Sequence, residues 1–249
     1  HGLTVPGSIE AAQRARGFTS GLFGWLRNAP WSNPAFSAMF ISLVTFGFLG
    51  GISGVVMGVE QINLIIHNTI YVPGHFHATV VLGTTLAFMA ATYLLVPLIF
   101  QRELIMKKMA MWQPYFFGIG VTGISVFMMG AGTLGVPRRH WDISGADPII
   151  KFDFPGAAYL MMGLNGMFAV LATLGGIMFV VVIVGSLLFG KKTGDEPLKG
   201  LTMDTVAEYG SAEHPKIPGT LVLVGIFFVS FILYYFVNWK YLAEVWPLR

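Results

Sequence analysis

The stretch Tyr71-Val-Pro-Gly-His75-Phe76-His77-Ala-Thr-Val80 opens a long apolar run that continues to Phe100. An imidazole inside so apolar a run needs a partner or a task, because a polar ring in hydrocarbon is costly. On an α-helix, residues two apart point about 200° away from each other, so His75 and His77 leave opposite faces of one helix. They cannot chelate one ion together. Each can serve a different planar cofactor, one on either side of the helix, and an axial nitrogen to haem iron is the commonest such role. The alternative is that each ring hydrogen-bonds a neighbouring helix backbone or lines a water-filled cavity. Pro73-Gly74 supplies a turn and then a close backbone approach where the helix begins.

Outward from that run, composition settles the class. The chain is 55% hydrophobic and 11% charged, with a mean hydropathy of +0.70, which excludes a soluble domain. Spans of membrane length are read at 35–58, 75–100, 113–136, 159–190 and 217–237. The fold class is therefore all-α, a polytopic transmembrane helix bundle with five complete spans and a truncated first helix. That first helix is read at Gly2-Leu-Thr-Val-Pro6, and His1 stands without an initiating Met, so a fragment, or a chain whose front has been removed or split off, is expected. Ten of the fifteen Lys and Arg residues, from Arg14, Arg16 and Arg27 to Lys191, Lys192, Lys199 and Lys216, fall on one side, which the positive-inside rule makes cytoplasmic. His75 then lies toward the outer side. This asymmetry accounts for the net charge of +3, so the charge gives no support to a nucleic-acid partner. There is no cysteine, which excludes disulfides, thiolate metal sites and iron–sulfur ligation within the chain.

Two more polar groups fall on the outer side. Gly135-Val-Pro-Arg138-Arg139 follows the third span, and adjacent arginines there offer bidentate donors for carboxylates, such as haem propionates, or for lipid phosphate. His67, in Asn63-Leu-Ile-Ile-His67-Asn68, can orient a propionate or a water chain, or cap a loop. Met128-Met129 and Met161-Met162 read as packing. Gly118, Gly120, Gly123, Gly130 and Gly132 read as close helix contacts. Trp239 and Trp246 read as interfacial anchors, and His1, His140 and His214 are assigned no metal.

His67-Asn-Thr-Ile-Tyr-Val-Pro-Gly-His-Phe-His77 followed by Val-Pro-Arg-Arg139 resembles the tenth and eleventh transmembrane helices of subunit I of the haem-copper oxygen reductases, the cytochrome c oxidase family. The Tyr-Val-Pro-Gly-His-Phe-His form most resembles the B-type branch, which includes the ba3 oxidases. The likeness extends through Leu22-Phe-Gly-Trp-Leu-Arg27 and Pro30-Trp-Ser-Asn-Pro-Ala-Phe36, and so implies that residues 1–249 are the C-terminal portion of such a subunit. It implies that His75 is the proximal ligand of the high-spin haem iron and His77 an axial ligand of the low-spin haem iron, with Phe76 between the two haems. Arg138 and Arg139 match the arginine pair that salt-bridges haem propionates, and His67 matches a histidine near the high-spin haem propionate. The copper (CuB) ligands and the second low-spin histidine come from helices outside this segment.

Departures from the family pattern bear on ion and proton handling. Many A-type relatives carry Asp, a ligand to magnesium or manganese, where this chain has Asn68, and a neutral amide is a poorer ligand, so no such ion is expected. Asn63 also stands where the family often has Asp, and an amide cannot hold a proton there. The resemblance implies a terminal respiratory oxidase in a prokaryotic plasma membrane, reducing O2 to water and translocating protons. Its partners would be the missing N-terminal portion of subunit I, a CuA-bearing subunit II, a small accessory membrane subunit, cytochrome c or a similar electron donor, and the lipid bilayer. The alternatives are a nitric oxide reductase of the same superfamily, which glutamates in the spans would favour, a haem-free transporter or structural subunit, and a simple b-type cytochrome.

Overall fold

The described residues fold as helices, with no strand among them and two isolated bridges, Thr69 with Pro137 and Arg102 with Lys192. The structure is a computed structural model that describes residues 3–18, 20–139, 153–193 and 216–245. His1, His140, Lys151, Lys199, His214, Trp246, Arg249 and most of the connector between Lys191 and Lys216 lie outside the described residues.

Two short helices come first, α1 (Thr4–Ala15) and α2 (Gly24–Arg27). Then follow α3 (Pro34–Gly58), α4 (Glu60–Ile66), α5 (Tyr71–Phe100), α6 (Lys107–Thr133), α7 (Gly156–Phe189) and α8 (Pro218–Val245). Five of them, α3, α5, α6, α7 and the Pro218–Val237 part of α8, are long and apolar enough to cross a membrane. A helix satisfies its own backbone groups, as hydrocarbon requires. The chain is thus the all-α polytopic bundle that its composition implies.

The ends of the helices differ from the sequence reading. α1 continues to Ala15, well past Pro6. α5 begins at Tyr71, four residues before His75, because a proline at position 73 fits the first turn, where backbone N–H groups have no helical partner anyway. The two histidines therefore sit about one turn inside the helix. α3 is started by Asn33, whose Oδ1 accepts from the N–H groups of Ala35 and Phe36 at 3.0 and 3.3 Å, with Pro34 in the first position.

α6 is the central helix. Of its most apolar stretch 56% is buried, against 22% for α7 and 6% for α8. Lipid gives helices no hydrophobic reason to associate, so close backbone approach must hold them together. A Cβ on Gly120 would lie 2.7 Å from Ala172 Cα on α7, and one on Gly132 would strike the backbone of Tyr71. Gly120→Leu is therefore expected to part α6 from α7 and to destabilise the bundle by about 1–3 kcal/mol. The check is the fraction of complex surviving a thermal challenge in detergent. Survival equal to that of the unmodified protein would mean the contact is dispensable.

The loops brace each end. At the end carrying the basic clusters, Arg102 Nη1 donates to Gly190 O at 2.8 Å, and Glu103 N–H donates to Lys191 O at 2.9 Å. α8 is tethered differently. Glu10 on α1 is fully buried, and its carboxylate accepts from Gly219 N–H at 3.0 Å, Thr220 N–H at 2.6 Å and Arg14 Nε at 2.8 Å. Two of the unpaired donors at the start of α8 are thereby satisfied by a side chain from another helix. Trp239 is exposed toward the other end of α8.

α3 and α5 each contain a wide π turn, at Phe46–Gly51 and His77–Thr85. The two turns face each other, with Gly50 against Thr79 and Gly83 against Phe46. Ser42 Oγ of α3 donates to the Gly83 carbonyl at 2.5 Å, and Thr85 Oγ1 to the Val80 carbonyl at 3.1 Å. Such turns commonly occur at functional sites.

Candidate functional site

His75 and His77 leave α5 on different sides, toward different neighbours. The His75 ring lies against α3, where its Nδ1 is 2.8 Å from Ser53 Oγ and where a Cβ on Gly54 would come within 3.2 Å of its Cε1. His77 faces the other way, into an open apolar cavity of about 560 Å³ between α5, α6 and α7. Its Nδ1 is 2.8 Å from the Pro73 carbonyl, one turn back on its own helix. A carbonyl can only accept, so Nδ1 carries a proton, and in the neutral ring Nε2 then keeps its lone pair. Neither Nε2 has a hydrogen-bond partner among the described residues.

The donor set suits a macrocycle better than a bare ion. Among the described residues, no three His, Cys, Asp or Glu side chains come together to hold a metal ion. A structural metal cage needs about four protein ligands. A haem supplies four nitrogens of its own and asks the protein for an axial base and an apolar slot. The wall around His77 has that character, with Val81, Phe117, Val121, Ile124 and Val180 beside the single imidazole. Phe76, between the two histidines, is 53% exposed, and its ring lies 5.7 Å from that of His75.

The remaining site residues gather at the head of α5. Ile70 N–H donates to Val136 O, and Arg138 N–H donates to Asn68 O, each at 2.9 Å, so the loop after α6 is laced to the loop before α5. Arg138 Nη2 also donates to Asn68 Oδ1 at 3.1 Å. Arg139 is exposed, and its backbone turns through the left-handed region at φ 64°. His67 follows α4 with an exposed ring. His67, Arg138 and Arg139 thus lie at one end of the bundle, while His75 and His77 lie about a turn further in. Met129 packs against Gly74, and Met161 against Gly130.

Two residues of this arrangement were not singled out from the sequence. Ser53 is a small polar residue in an apolar span, like many that only bond their own helix. Glu10, with Arg14 four residues on, looks like an ordinary surface pair until α8 is seen to close over it.

The family model for cytochrome c and quinol oxidase polypeptide I matches residues 5–178. Cytochrome c oxidase subunit 1 of Thermus thermophilus is 35% identical over 190 residues, covering 75% of this chain and 30% of that relative. The subunit 1 of Alkalihalophilus pseudofirmus is 25% identical over 207 residues, covering 79% of the chain and 31% of the relative. Cytochrome c oxidase polypeptide 1 of the archaeon Halobacterium salinarum is 34% identical over 100 residues, covering 40% of the chain and 17% of the relative. A solved heme-copper terminal oxidase dimer superposes with a TM-score of 0.60 at 30% identity, covering 70% of this chain and 31% of that one. The chain spans about a third of the length of the longer-matching relatives. Five membrane-length helices, with bacterial and archaeal relatives, place it in a prokaryotic plasma membrane as a multi-pass protein.

Proposed function

The chain belongs to the cytochrome c and quinol oxidase polypeptide I family, within the heme-copper oxidase superfamily, and on that footing we propose that residues 1–249 are the C-terminal portion of a B-type, ba3-like subunit I. The complete subunit is a terminal oxidase that reduces O2 to water and translocates protons. The observation that carries the reading is the pair His75 and His77, two imidazoles on opposite faces of α5, each with Nδ1 engaged and Nε2 free.

His75 would hold a high-spin haem iron and His77 a low-spin haem iron. Together these haems supply one-electron transfer and, with copper (CuB) held by residues outside this segment, oxygen chemistry. The chain's own part is to hold and orient. α5 fixes both bases on one rigid rod, so their relative placement is set by helix geometry and not by a loop. Phe76 would lie between the two haems. The largely apolar wall about His77 offers few groups to hold water, which favours strong charge interactions beside it. Arg138 and Arg139 serve the haem propionates at the outer end, with His67 beside them, and Asn68 orients Arg138. The partners of the assembled enzyme are the N-terminal portion of subunit I, a CuA-bearing subunit II, a small accessory membrane subunit and cytochrome c or a similar donor.

The test is a reduced-minus-oxidised spectrum of the native complex, with carbon monoxide added to the reduced sample and metals analysed. Two haems, one binding carbon monoxide, and one copper beyond that of subunit II are expected. Iron in place of that copper would indicate a nitric oxide reductase, and absence of haem would overturn the reading.

The arginines give a separate expectation. A positive charge felt through an effective dielectric near 20 contributes on the order of 1 kcal/mol at about ten-ångström range. Changing Arg138 and Arg139 together to Gln should therefore lower a haem midpoint potential by on the order of tens of millivolts, because the reduced haem loses favourable charges. Redox titration checks it, and unchanged potentials would leave these arginines to lipid phosphate.

A further inference from the structure

We propose that Ser53 is the positioning residue of His75, its hydroxyl oxygen accepting the Nδ1–H and so holding the ring in the tautomer whose Nε2 is the free base. The inference rests on the reading of His75 as a haem ligand. Ser53 Oγ has a single proton to give. The carbonyls of Leu49 at 2.6 Å and Gly50 at 3.1 Å both face it, and a carbonyl can only accept, so the proton is directed to them. Toward His75 Nδ1, at 2.8 Å, the same oxygen can then only accept. The ring proton sits on Nδ1. The reverse polarity would spend the hydroxyl proton on Nδ1, leave both carbonyls without it, and set the Oγ lone pairs against the Leu49 carbonyl oxygen at 2.6 Å.

Local structure makes this polarity hard to escape. Leu49 and Gly50 belong to the π turn Phe46–Gly51, and the regular helix resumes at Ile52, just before Ser53. Gly54, the following residue, has no side chain, and a Cβ there would press on the imidazole at 3.2 Å from its Cε1. The ring is thus held by a hydrogen bond at one edge and by bare backbone beside it. A hydroxyl that is itself donating is a weaker acceptor than a carboxylate and a better one than none. Ser53 therefore tunes His75 as a moderately basic neutral imidazole, as partners of metal-bound histidines generally do. His77 has a different acceptor, the Pro73 carbonyl.

The experiment compares the native complex with Ser53→Ala, Ser53→Val and Ser53→Thr, reading the iron–histidine stretch of the reduced high-spin haem by resonance Raman. Carbon monoxide binding is measured on the same samples. Threonine and valine are nearly isosteric, so that pair isolates the hydroxyl even where alanine impairs assembly. The expected result is a stretch at lower frequency in Ser53→Val and Ser53→Ala, and one at the native position in Ser53→Thr, with carbon monoxide binding retained. One frequency in Ser53→Thr and Ser53→Val alike would overturn the role of Ser53 while leaving His75 as ligand. A native complex without a carbon-monoxide-binding haem would instead overturn the reading of His75 itself, and the role of Ser53 with it.

Discussion

His75→Ala in the assembled complex is expected to abolish carbon monoxide binding and bring oxygen consumption to background, while the low-spin absorption band persists. The expectation comes from the separation of the two rings. His75 lies against Ser53 and Gly54 of α3, and the cavity wall with His77 belongs to α5, α6 and α7, so removing one imidazole leaves the other face of the helix untouched. Alanine keeps the helix, being its best former. It removes only the base and the bond to Ser53. The vacated space matches an imidazole, so free imidazole added to the variant should restore part of the carbon monoxide complex, a rescue that a folding defect would not show. Carbon monoxide binding retained without added imidazole would remove His75 from the proposed role.

Much of this arrangement was legible in the sequence because hydrocarbon permits so few solutions. Runs of apolar residues as long as those ending at Phe100 and Phe189 can only be helices across a bilayer. The opposed faces of His75 and His77 followed from the helical repeat alone. The glycines of α6 read as contacts, and Gly120 and Gly132 do meet Ala172 and Tyr71. What escaped was whatever depends on the partner helix. The π turns at 46–51 and 77–85 leave no trace in a run that is apolar on all sides, since the added residue shifts no hydrophobic stripe. Ser53 acquires its place only when α3 and α5 are side by side. Glu10 is buried by residues more than two hundred positions later in the chain, and no local pattern carries that. The cluster at the head of α5 lies between these cases. Arg138 and Arg139 stood out as a pair, but the lacing of Arg138 to Asn68 required both loops to be seen together.

His77→Ala should produce the converse spectrum, with the low-spin band lost, carbon monoxide still bound, and reduction of the oxygen-reacting centre slowed to background because electrons no longer pass through the low-spin haem. The physical ground is that His77 is the one nitrogen base among the described residues lining the cavity, whose other members are apolar apart from Thr173, so none of them can take over its lone pair. Its proton is anchored to the Pro73 carbonyl, so the native ring presents Nε2 without tautomeric exchange. Asparagine at the same position sharpens the experiment. Its side chain keeps polarity and hydrogen-bonding capacity but lacks the imidazole base, so a histidine that merely lined a wet cavity would be replaced with little spectral change. A normal low-spin band in both His77→Ala and His77→Asn would assign the ring to that lesser task. If His75→Ala and His77→Ala erased the same band, the two rings would serve one cofactor. A single rigid macrocycle cannot be ligated from both faces of one helix, so α5 would then have to be arranged differently in the assembled enzyme.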